Sequence, residues 1–336
     1  MCALASGSVD LSCLIAGIRF SNPLVLASGI WGTSPSLLER AARTGAGAVT
    51  AKTCTPVPRR GHRNPTAIDW GYGLINAMGL PNPGAEEEVR LLEEAVRRLA
   101  PLGVPVIASI SADTAESFGR SAEIVSRAGP ALIEVNISCP NLQSEQHEMF
   151  AASAEAAANV TRSVKGATTI PCIIKLSPNV PDIAAIAQAV ASAGADAITA
   201  INTMPGMLVD AETGTPVLAN GGGGISGPAL KPIALRCVHE IVSVVALPVI
   251  GTGGVLTGQD AVEMISAGAL CVGVGSAVFY RGEDAFSLIR DELSKWLQER
   301  GFTSLEQIRG RTRRTLDSKR VSNPPPVPGW EADSAG

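Results

Sequence analysis

The sequence predicts an α/β protein built as a closed (β/α)8 barrel. Eight short apolar segments of strand length alternate with helix-length amphipathic segments along the 336-residue chain. Barrels of this kind span about 200 to more than 400 residues as one domain. Most of the apolar segments are continuous rather than alternating, which is typical of parallel strands buried on both faces. A doubly wound open sheet is the alternative, but it would more often divide a chain of this length.

The predicted strands share Val, Ile, Leu and Ala, and the predicted helices share apolar residues at helical spacing. The strands are residues 24–27, 48–51, 104–110, 132–137, 172–176, 197–201, 248–251 and 270–274. The helices are residues 86–100, 115–128, 151–165, 183–193, 231–244 and 259–267. Glycines at 45, 194 and 268 stand before strands, where they let the chain turn tightly.

Two long segments interrupt this alternation, and a third follows it. Residues 53–84 are rich in Pro, Gly and Arg and predict an inserted hairpin region over the barrel mouth. Residues 203–227 hold the glycine run 221–224, which we predict to be too flexible for the core. We expect one domain over residues 1–321 and a Pro-rich mobile tail over residues 322–336, because its prolines cannot continue a helix or central strand.

Composition and charge exclude several classes of function. The 27 Lys and Arg residues against 31 Asp and Glu residues leave a net charge of −4, with no basic excess for a nucleic-acid partner. No stretch approaches the roughly 20 continuous apolar residues of a membrane-spanning helix. The N-terminal segment has neither a cationic start nor a basic amphipathic face. We therefore expect a cytoplasmic protein without membrane attachment.

The seven cysteines are odd in number and form no C-x-x-C pair, so their spacing predicts neither a disulfide framework nor a zinc or iron–sulfur site. Only three histidines occur, and none has metal-ligand spacing. This cysteine usage favours a reduced compartment. Cys172, Cys237 and Cys271 stand in apolar segments and are expected in the core, whereas the place of Cys54, in a polar loop, is left open.

Polar or glycine residues stand at the predicted C-terminal end of every strand. They are Ser28, Lys52, Ser109, Asn136, Lys175, Asn202, Gly253 and Gly275. Barrel enzymes build their active sites at this end. Polar residues gather at strand ends in any barrel, but a lysine beside a buried strand is costly unless it has an anionic partner. The two lysines therefore favour a functional site.

Glycine-rich turns follow the seventh and eighth strands. One is G-T-G-G at 251–254, and the other is G-V-G-S at 273–276. Backbone N–H groups that glycine exposes at these two places, with a following helix N-terminus, form the usual phosphate site of such barrels. Tight turns and helix caps also use glycine, but two such turns in these units favour a phosphate site. The bound group could be a cofactor or a phosphorylated substrate.

A cysteine in a polar loop directly follows the fourth strand. The segment N-I-S-C-P-N at 136–141 places Cys139 between two asparagines, where a thiol can act as proton acceptor or nucleophile. A lone cysteine is more often a small core residue. No histidine lies near Cys139 in sequence, which argues against protease-like chemistry.

Nine motifs in a fixed order carry a resemblance to a known family. They are N-P-L-V-L-A-S-G at 22–29, K-T at 52–53, N-A-M-G-L-P-N-P-G at 76–84, N-I-S-C-P-N at 136–141, K-L-S-P-N at 175–179, I-N-T-M-P-G-M at 201–207, S-G-P-A-L-K-P at 226–232, I-G-T-G-G at 250–254 and V-G-V-G-S-A at 272–277. Over about residues 14–280 the chain resembles the class 1 dihydroorotate dehydrogenases, flavin enzymes of pyrimidine synthesis. Within this class it is most similar to the 1B type.

The resemblance implies FMN across the barrel mouth and dihydroorotate beside it. The cofactor-binding residues that it implies are Ser28, Lys52, Thr53, Asn136, Lys175, Ile201, Gly227, Gly253, Gly254, Gly275 and Ser276. The substrate-binding residues that it implies are Lys52, Asn76, Ala77, Met78, Gly79, Leu80, Asn136, Asn141, Asn202 and Thr203. Cys139 would remove the C5 proton while C6 gives a hydride to flavin N5, and Lys175 would stabilise the anion formed on reduction.

The resemblance also implies a homodimer and, for the 1B type, a partner subunit that carries FAD and a 2Fe–2S cluster. We expect no NAD site on this chain, because no G-x-G-x-x-G stands between a strand and a helix with an acidic residue about 20 positions on. The alternatives are a dihydropyrimidine dehydrogenase-like flavin enzyme, a 1A-type enzyme that uses fumarate, a barrel that binds a sugar phosphate, and a scaffold without catalysis.

Overall fold

Strands and helices alternate along the described part of the chain. The computed structural model describes residues 9–138 and 150–319. The strands, in chain order, are β1 (Cys13–Ile15), β2 (Ile18–Phe20), β3 (Leu24–Leu26), β4 (Ala48–Thr50), β5 (Ala67–Asp69), β6 (Leu74–Asn76), β7 (Val106–Ile110), β8 (Leu132–Asn136), β9 (Cys172–Leu176), β10 (Ala197–Ala200), β11 (Met204–Met207), β12 (Gly222–Ser226), β13 (Val249–Thr252) and β14 (Cys271–Val274). The helices are α1 (Pro35–Arg43), α2 (Ala85–Leu99), α3 (Ala115–Ser126), α4 (Ala154–Ala167), α5 (Ile183–Ser192), α6 (Lys231–Val244), α7 (Gly258–Ala267), α8 (Ala277–Arg281), α9 (Ala285–Glu299) and α10 (Arg311–Lys319).

Eight parallel strands close into a barrel in the order β3, β4, β7, β8, β9, β10, β13 and β14, and β14 pairs back with β3. At least one helix stands between each strand of the barrel and the next. The predicted (β/α)8 barrel is therefore confirmed, and the doubly wound open sheet is excluded. The barrel strands are almost entirely buried, which explains their continuous apolar sequences.

Local chemistry explains where the observed boundaries differ from the predicted ones. The strand predicted from residue 104 begins at Val106, since Pro105 has no N–H to donate to a neighbouring strand. The helix predicted from residue 151 begins at Ala154, because the Ser153 hydroxyl caps it by accepting a hydrogen bond from Ala156 N over 3.3 Å. The predicted tail lies outside the described residues. None of the described helices is long and apolar enough to cross a membrane.

A short hairpin that is not among the predicted elements closes the N-terminal end of the barrel. Strands β1 and β2 pair antiparallel, with Cys13 opposite Phe20. Ile15 and Phe20 are fully buried and pack with residues near the start of barrel strands, among them Ile250 and Cys271. The hairpin therefore plugs the barrel end opposite the predicted site and completes a second apolar core there.

The two predicted insertions meet in one antiparallel sheet, which we call the roof. Strands β5 and β6 come from the first insertion, and β11 and β12 come from the second. Their order in the sheet is β11, β12, β6 and β5. Each insertion follows the C-terminal end of a barrel strand, so the roof stands over the barrel mouth. The inserted hairpin predicted within residues 53–84 is therefore confirmed.

The glycine run of the second insertion lies outside the barrel core, as predicted, but it forms part of a strand rather than a loop. It contributes to β12, which pairs with β11 on one side and β6 on the other. A Cβ on Gly223 would lie 2.6 Å from the backbone oxygen of Asn76, and a Cβ on Gly224 would overlap the Thr203 side chain. Glycine is therefore required by close strand packing rather than by mobility.

Candidate active site

One cavity at the barrel mouth collects the residues that the sequence predicted for the site. Its volume is about 560 Å³, and it lies between the C-terminal ends of the barrel strands and the roof. Cavities of this size class hold cofactors and comparable ligands. The predicted residues that line it are Ser28, Lys52, Thr53, Asn76, Ala77, Met78, Gly79, Leu80, Asn136, Lys175, Ile201, Asn202, Thr203, Gly227, Gly253, Gly254, Gly275 and Ser276. The predicted base Cys139 and the predicted ligand Asn141 lie outside the described residues.

A buried ion pair stands at the cavity wall. Lys175 on β9 donates from Nζ to Glu134 Oε1 on β8 over 3.4 Å, and Thr199 Oγ1 on β10 donates to Glu134 Oε2 over 3.0 Å. The Lys175 and Glu134 side chains are only 7% and 5% exposed. A charge buried this deeply lowers the stability of the fold unless an opposite charge pairs with it. The carboxylate of Glu134 provides that charge, which is why a lysine is tolerated in the buried strand β9. The cost of a lysine beside a buried strand indicated that Lys175 needs an anionic partner, but no local sequence feature points to Glu134.

The second lysine, Lys52, follows β4 and lines the same cavity. It is 9% exposed, and its backbone N–H donates to Gly32 O over 2.9 Å. A Cβ on Gly32 would lie within 2.6 Å of Lys52 N. Glycine at position 32 therefore lets the loop after β3 pack directly against the backbone of Lys52. This contact holds the Lys52 backbone, and with it the base of the lysine side chain, in place.

Amide side chains form a second polar group at the ends of β8 and β10. Ser138 Oγ donates to Asn136 Oδ1 over 2.9 Å and accepts from Asn202 Nδ2 over 2.9 Å. Asn202 Oδ1 accepts from the backbone N–H of Thr203 over 2.9 Å. Ser138 thus fixes the orientation of both asparagines, although it is not among the residues predicted for the site. The barrel register also places Asn136 directly beside Lys175.

Three hydroxyl groups form a chain on another side of the site. Ser28 Oγ and Thr53 Oγ1 are 3.0 Å apart, and Thr53 Oγ1 and Ser109 Oγ are 2.8 Å apart. Ser28 Oγ also donates to Ala51 O over 2.9 Å. Ser28 and Thr53 line the cavity, whereas Ser109 is buried. Because Ser28 Oγ donates its one proton to Ala51 O, it accepts from Thr53, and Thr53 in turn accepts from Ser109. The three donors are therefore used within the protein, and the hydroxyl groups can offer a ligand only acceptor lone pairs.

The glycine turn after β13 lines the cavity in a backbone conformation that side chains disfavour. Gly253 and Gly254 have φ values of +135° and +73°. A Cβ on Gly254 would lie 2.8 Å from Lys231 N and 2.9 Å from Gly227 O. The turn after β14 lines the same cavity. Glycine is therefore required for close packing of this turn against the start of α6, and the turn contributes to the wall of the cavity.

A third lysine stands against this turn, and two carboxylates neutralise it. Lys231 Nζ lies 2.6 Å from Asp260 Oδ1 and 2.8 Å from Glu263 Oε2. Burial alone would lower the pKa of Lys231, but the hydrogen bonds to both carboxylates outweigh it, and the net shift of the pKa is upward. A phosphate at the glycine turn would therefore meet backbone N–H groups next to a lysine that is already paired.

Cys54, whose place the sequence left open, belongs to the core. It is fully buried and forms a backbone bridge to Ile110 at the end of β7. Burial, with a smaller contribution from Glu88, raises the pKa of the Cys54 thiol far above its ordinary value. Such a thiol is a poor nucleophile and a poor metal ligand. Cys172, Cys237 and Cys271 are also buried, as the sequence predicted.

The barrel is closed and carries polar side chains at the C-terminal ends of its strands. Two lysines, several amides and two glycine turns line the same cavity. These features define a (β/α)8-barrel enzyme. A model of the dihydroorotate dehydrogenase family matches residues 10–297 of this chain. The chain belongs to the dihydroorotate dehydrogenase family, a family of oxidoreductases.

Close relatives support the same assignment. The protein named dihydroorotate dehydrogenase B (NAD(+)), catalytic subunit, from Pyrococcus abyssi is 45% identical over 294 residues, which cover 88% of this chain and 96% of the relative. Proteins of the same name from Methanocaldococcus jannaschii and Methanosarcina acetivorans are 42% and 43% identical. These two matches cover 90% and 88% of this chain, and 98% and 94% of the relatives. The resemblance to the 1B type that the motifs predicted is confirmed.

Proposed function

We propose that this chain oxidises dihydroorotate to orotate in pyrimidine biosynthesis and binds FMN in the cavity at the barrel mouth. The observation that carries the proposal is the cavity itself, because every described residue predicted for cofactor or substrate lines it. The family, and the names of the relatives, support the same reaction.

The residues of the cavity fit an FMN phosphate at the two glycine turns. Gly253 and Gly254 present backbone without a Cβ, and a Cβ on Gly254 would meet the start of α6. Gly275 and Ser276 line the cavity from the next unit of the barrel. Backbone N–H groups are suitable donors to phosphate oxygens, and this pair of turns is the usual place for phosphate in such barrels.

Replacing Gly254 with alanine is expected to weaken FMN binding by about tenfold, because strain of about 1–3 kcal/mol falls on the turn. The added Cβ would lie 2.8 Å from Lys231 N, and φ is already +73°. Titration of the FMN-free protein with FMN, followed by flavin fluorescence, measures the dissociation constant. Gly221→Ala is the matched control, since φ there is +81° and no atom lies within 4 Å of an added Cβ. Equal affinity of both variants would contradict the proposed phosphate position.

The substrate side of the cavity supplies one cation and several amides. Dihydroorotate carries a carboxylate and amide-like edges, which Lys52 and the side chains of Asn76, Asn136 and Asn202 can bind by charge and by hydrogen bonds. The Ser138 hydroxyl keeps two of these amides in place. Such fixed donors and acceptors orient the substrate without reorganisation when it binds.

The reaction removes a proton from C5 and a hydride from C6 of dihydroorotate. FMN, when bound, supplies the hydride acceptor. In the proposed mechanism Cys139, the residue after Ser138 in the sequence, takes the C5 proton on its sulfur. A thiol is a weak base at neutral pH, so the site has to activate it and exclude water. Lys175, whose charge Glu134 balances, would face the flavin and stabilise negative charge there.

Anaerobic addition of dihydroorotate to the FMN-saturated chain tests this function. We expect the yellow flavin absorbance to bleach and orotate to form in proportion, whereas dihydrouracil should leave the absorbance unchanged. Bleaching by dihydrouracil alone would favour the dihydropyrimidine dehydrogenase-like alternative. If the chain takes up no FMN, the flavin proposal is contradicted. The alternative of a barrel that binds a sugar phosphate would then be favoured.

The electrons are proposed to leave through a partner subunit that carries FAD and a 2Fe–2S cluster, and the chain is proposed to pair as a homodimer. The names of the relatives, which specify a catalytic subunit and NAD(+), support such a partner. With dihydroorotate and NAD alone, the isolated chain should form almost no NADH, while an artificial dye should be reduced. Rapid NADH formation would contradict this prediction, and rapid fumarate reduction would indicate the 1A type.

A further inference from the structure

We propose that Cys13 and Cys271 form a reversible disulfide that fastens the N-terminal hairpin to the barrel, with a small-molecule disulfide as the oxidant. The two Sγ atoms lie 2.9 Å apart, although the residues are 258 positions apart in sequence. A covalent S–S bond is about 2.05 Å long, so the sulfurs need to approach by only about 0.9 Å more. This inference is independent of the proposed catalytic function.

The surroundings of the two sulfurs hold them together. Cys271 is the first residue of β14 and is fully buried, whereas Cys13 lies in β1 and is partly exposed. Ile15 and Phe20, on the same hairpin, are fully buried in the cluster that contains Cys271. The packing of the hairpin therefore keeps Cys13 beside Cys271 without help from a covalent bond.

The unequal exposure of the two thiols sets the order of the chemistry. The thiolate of Cys13 attacks one sulfur of the oxidant, a mixed disulfide forms, and one thiol leaves. The sulfur of Cys271 then displaces the second thiol, to which its proton passes, and the Cys13–Cys271 bond forms. Two S–H bonds are lost from the protein, and the oxidant is reduced to two thiols. Burial raises the pKa of Cys271 well above its ordinary value, so the second step should be slow at neutral pH.

The bond would restrict the unfolded chain strongly, because it closes a loop of nearly the whole barrel. The stabilisation from a cross-link grows with the length of the loop that it closes. The 258-position separation therefore predicts a measurable rise in thermal stability on oxidation. The cavity lies at the other end of the barrel, so the bond should not alter flavin binding directly.

The test oxidises the FMN-saturated full chain with oxidised glutathione, blocks remaining thiols under denaturing conditions, and maps the peptides by mass spectrometry. We expect a peptide that links Cys13 to Cys271 and a rise of about 5 °C in Tm, both reversed by dithiothreitol. Cys13→Ser should lose the linkage and the rise in Tm. Cys237→Ser is the matched control, because Cys237 is also buried but lies on α6, and it should keep both.

Several results would overturn the proposal. One is recovery of both thiols in the blocked form after prolonged oxidation of the native protein. Another is a linkage from Cys13 to a different cysteine. A third is formation of the same linkage at an equal rate in urea-unfolded protein, because the fold would then not be the reason for the pairing.

Discussion

Replacing Cys139 with serine is expected to slow the reduction of bound flavin by dihydroorotate by about 10²–10⁴-fold, because a positioned base contributes this much to a proton transfer. A serine hydroxyl is far less acidic than a thiol, so almost none of it is ionised near neutral pH. FMN and orotate should still bind, since serine preserves the size and polarity of the side chain. Anaerobic stopped-flow absorbance at neutral pH measures the reduction rate.

Cys54→Ala provides the control for this experiment. Cys54 is fully buried in the core beside the mouth, and the raised pKa of its thiol makes it unsuited to proton transfer. Its removal should leave the reduction rate within about twofold while costing some stability through the small cavity that it creates. A Cys139→Ser variant that reduces flavin as fast as this control would remove Cys139 from its proposed role.

Replacing Glu134 with leucine is expected to lower the free energy of unfolding of the FMN-free chain by about 3–5 kcal/mol, because it leaves the Lys175 ammonium buried without its partner. The lysine side chain is 7% exposed, so water cannot replace the lost carboxylate without rearrangement. Thr199 would also lose the acceptor of its hydroxyl. Urea unfolding followed by circular dichroism measures the change.

The double variant Glu134→Leu, Lys175→Met separates the ion pair from the packing around it. Replacing a buried pair with apolar side chains of similar volume is often nearly neutral for stability. We therefore expect the double variant to recover most of the stability that Glu134→Leu loses. If single and double variants unfold at the same urea concentration, the loss comes from packing and not from an unpaired charge.

The barrel could be predicted from sequence because each of its elements has a local signal. Continuous apolar runs mark buried parallel strands, and glycine before a strand marks the end of a helix. Helix α1 shows how such a signal can be overlooked. Ser34 caps it by accepting from Leu37 N, and Pro35 occupies its first turn, a combination that is typical of a helix start.

The residues of the candidate site could be predicted from their positions at strand ends rather than from a signal in each residue's own segment. Its residues stand at strand ends, and closing the barrel brings all strand ends to one mouth, so placing the strands correctly places the residues. What sequence could not provide is the contact network behind them. Nothing local to Glu134 indicates that it faces Lys175 on the next strand, or that Ser138 bridges Asn136 and Asn202.

Features that depend on pairing between distant segments were beyond sequence reasoning. The glycine run at 221–224 has a composition typical of a flexible loop, and only the neighbouring strands β6 and β11 explain its order. Likewise, cysteine spacing gave no reason to pair Cys13 with Cys271, because their contact arises when the hairpin plugs the barrel. In both cases the signal lies in tertiary contacts rather than in the segment itself.

The roof combines strands from two insertions that lie far apart in the chain, so it can form only late in synthesis. The Asn76 side chain donates to the backbone of Gly224, a partner 148 positions further along the chain. A ribosome releases the chain from the N-terminus, so β5 and β6 emerge long before the strand that completes their sheet. For most of its synthesis the nascent chain therefore has no enclosed cavity. If FMN binds in this cavity as proposed, its uptake follows the synthesis of β12, and a product truncated before β12 should bind it weakly.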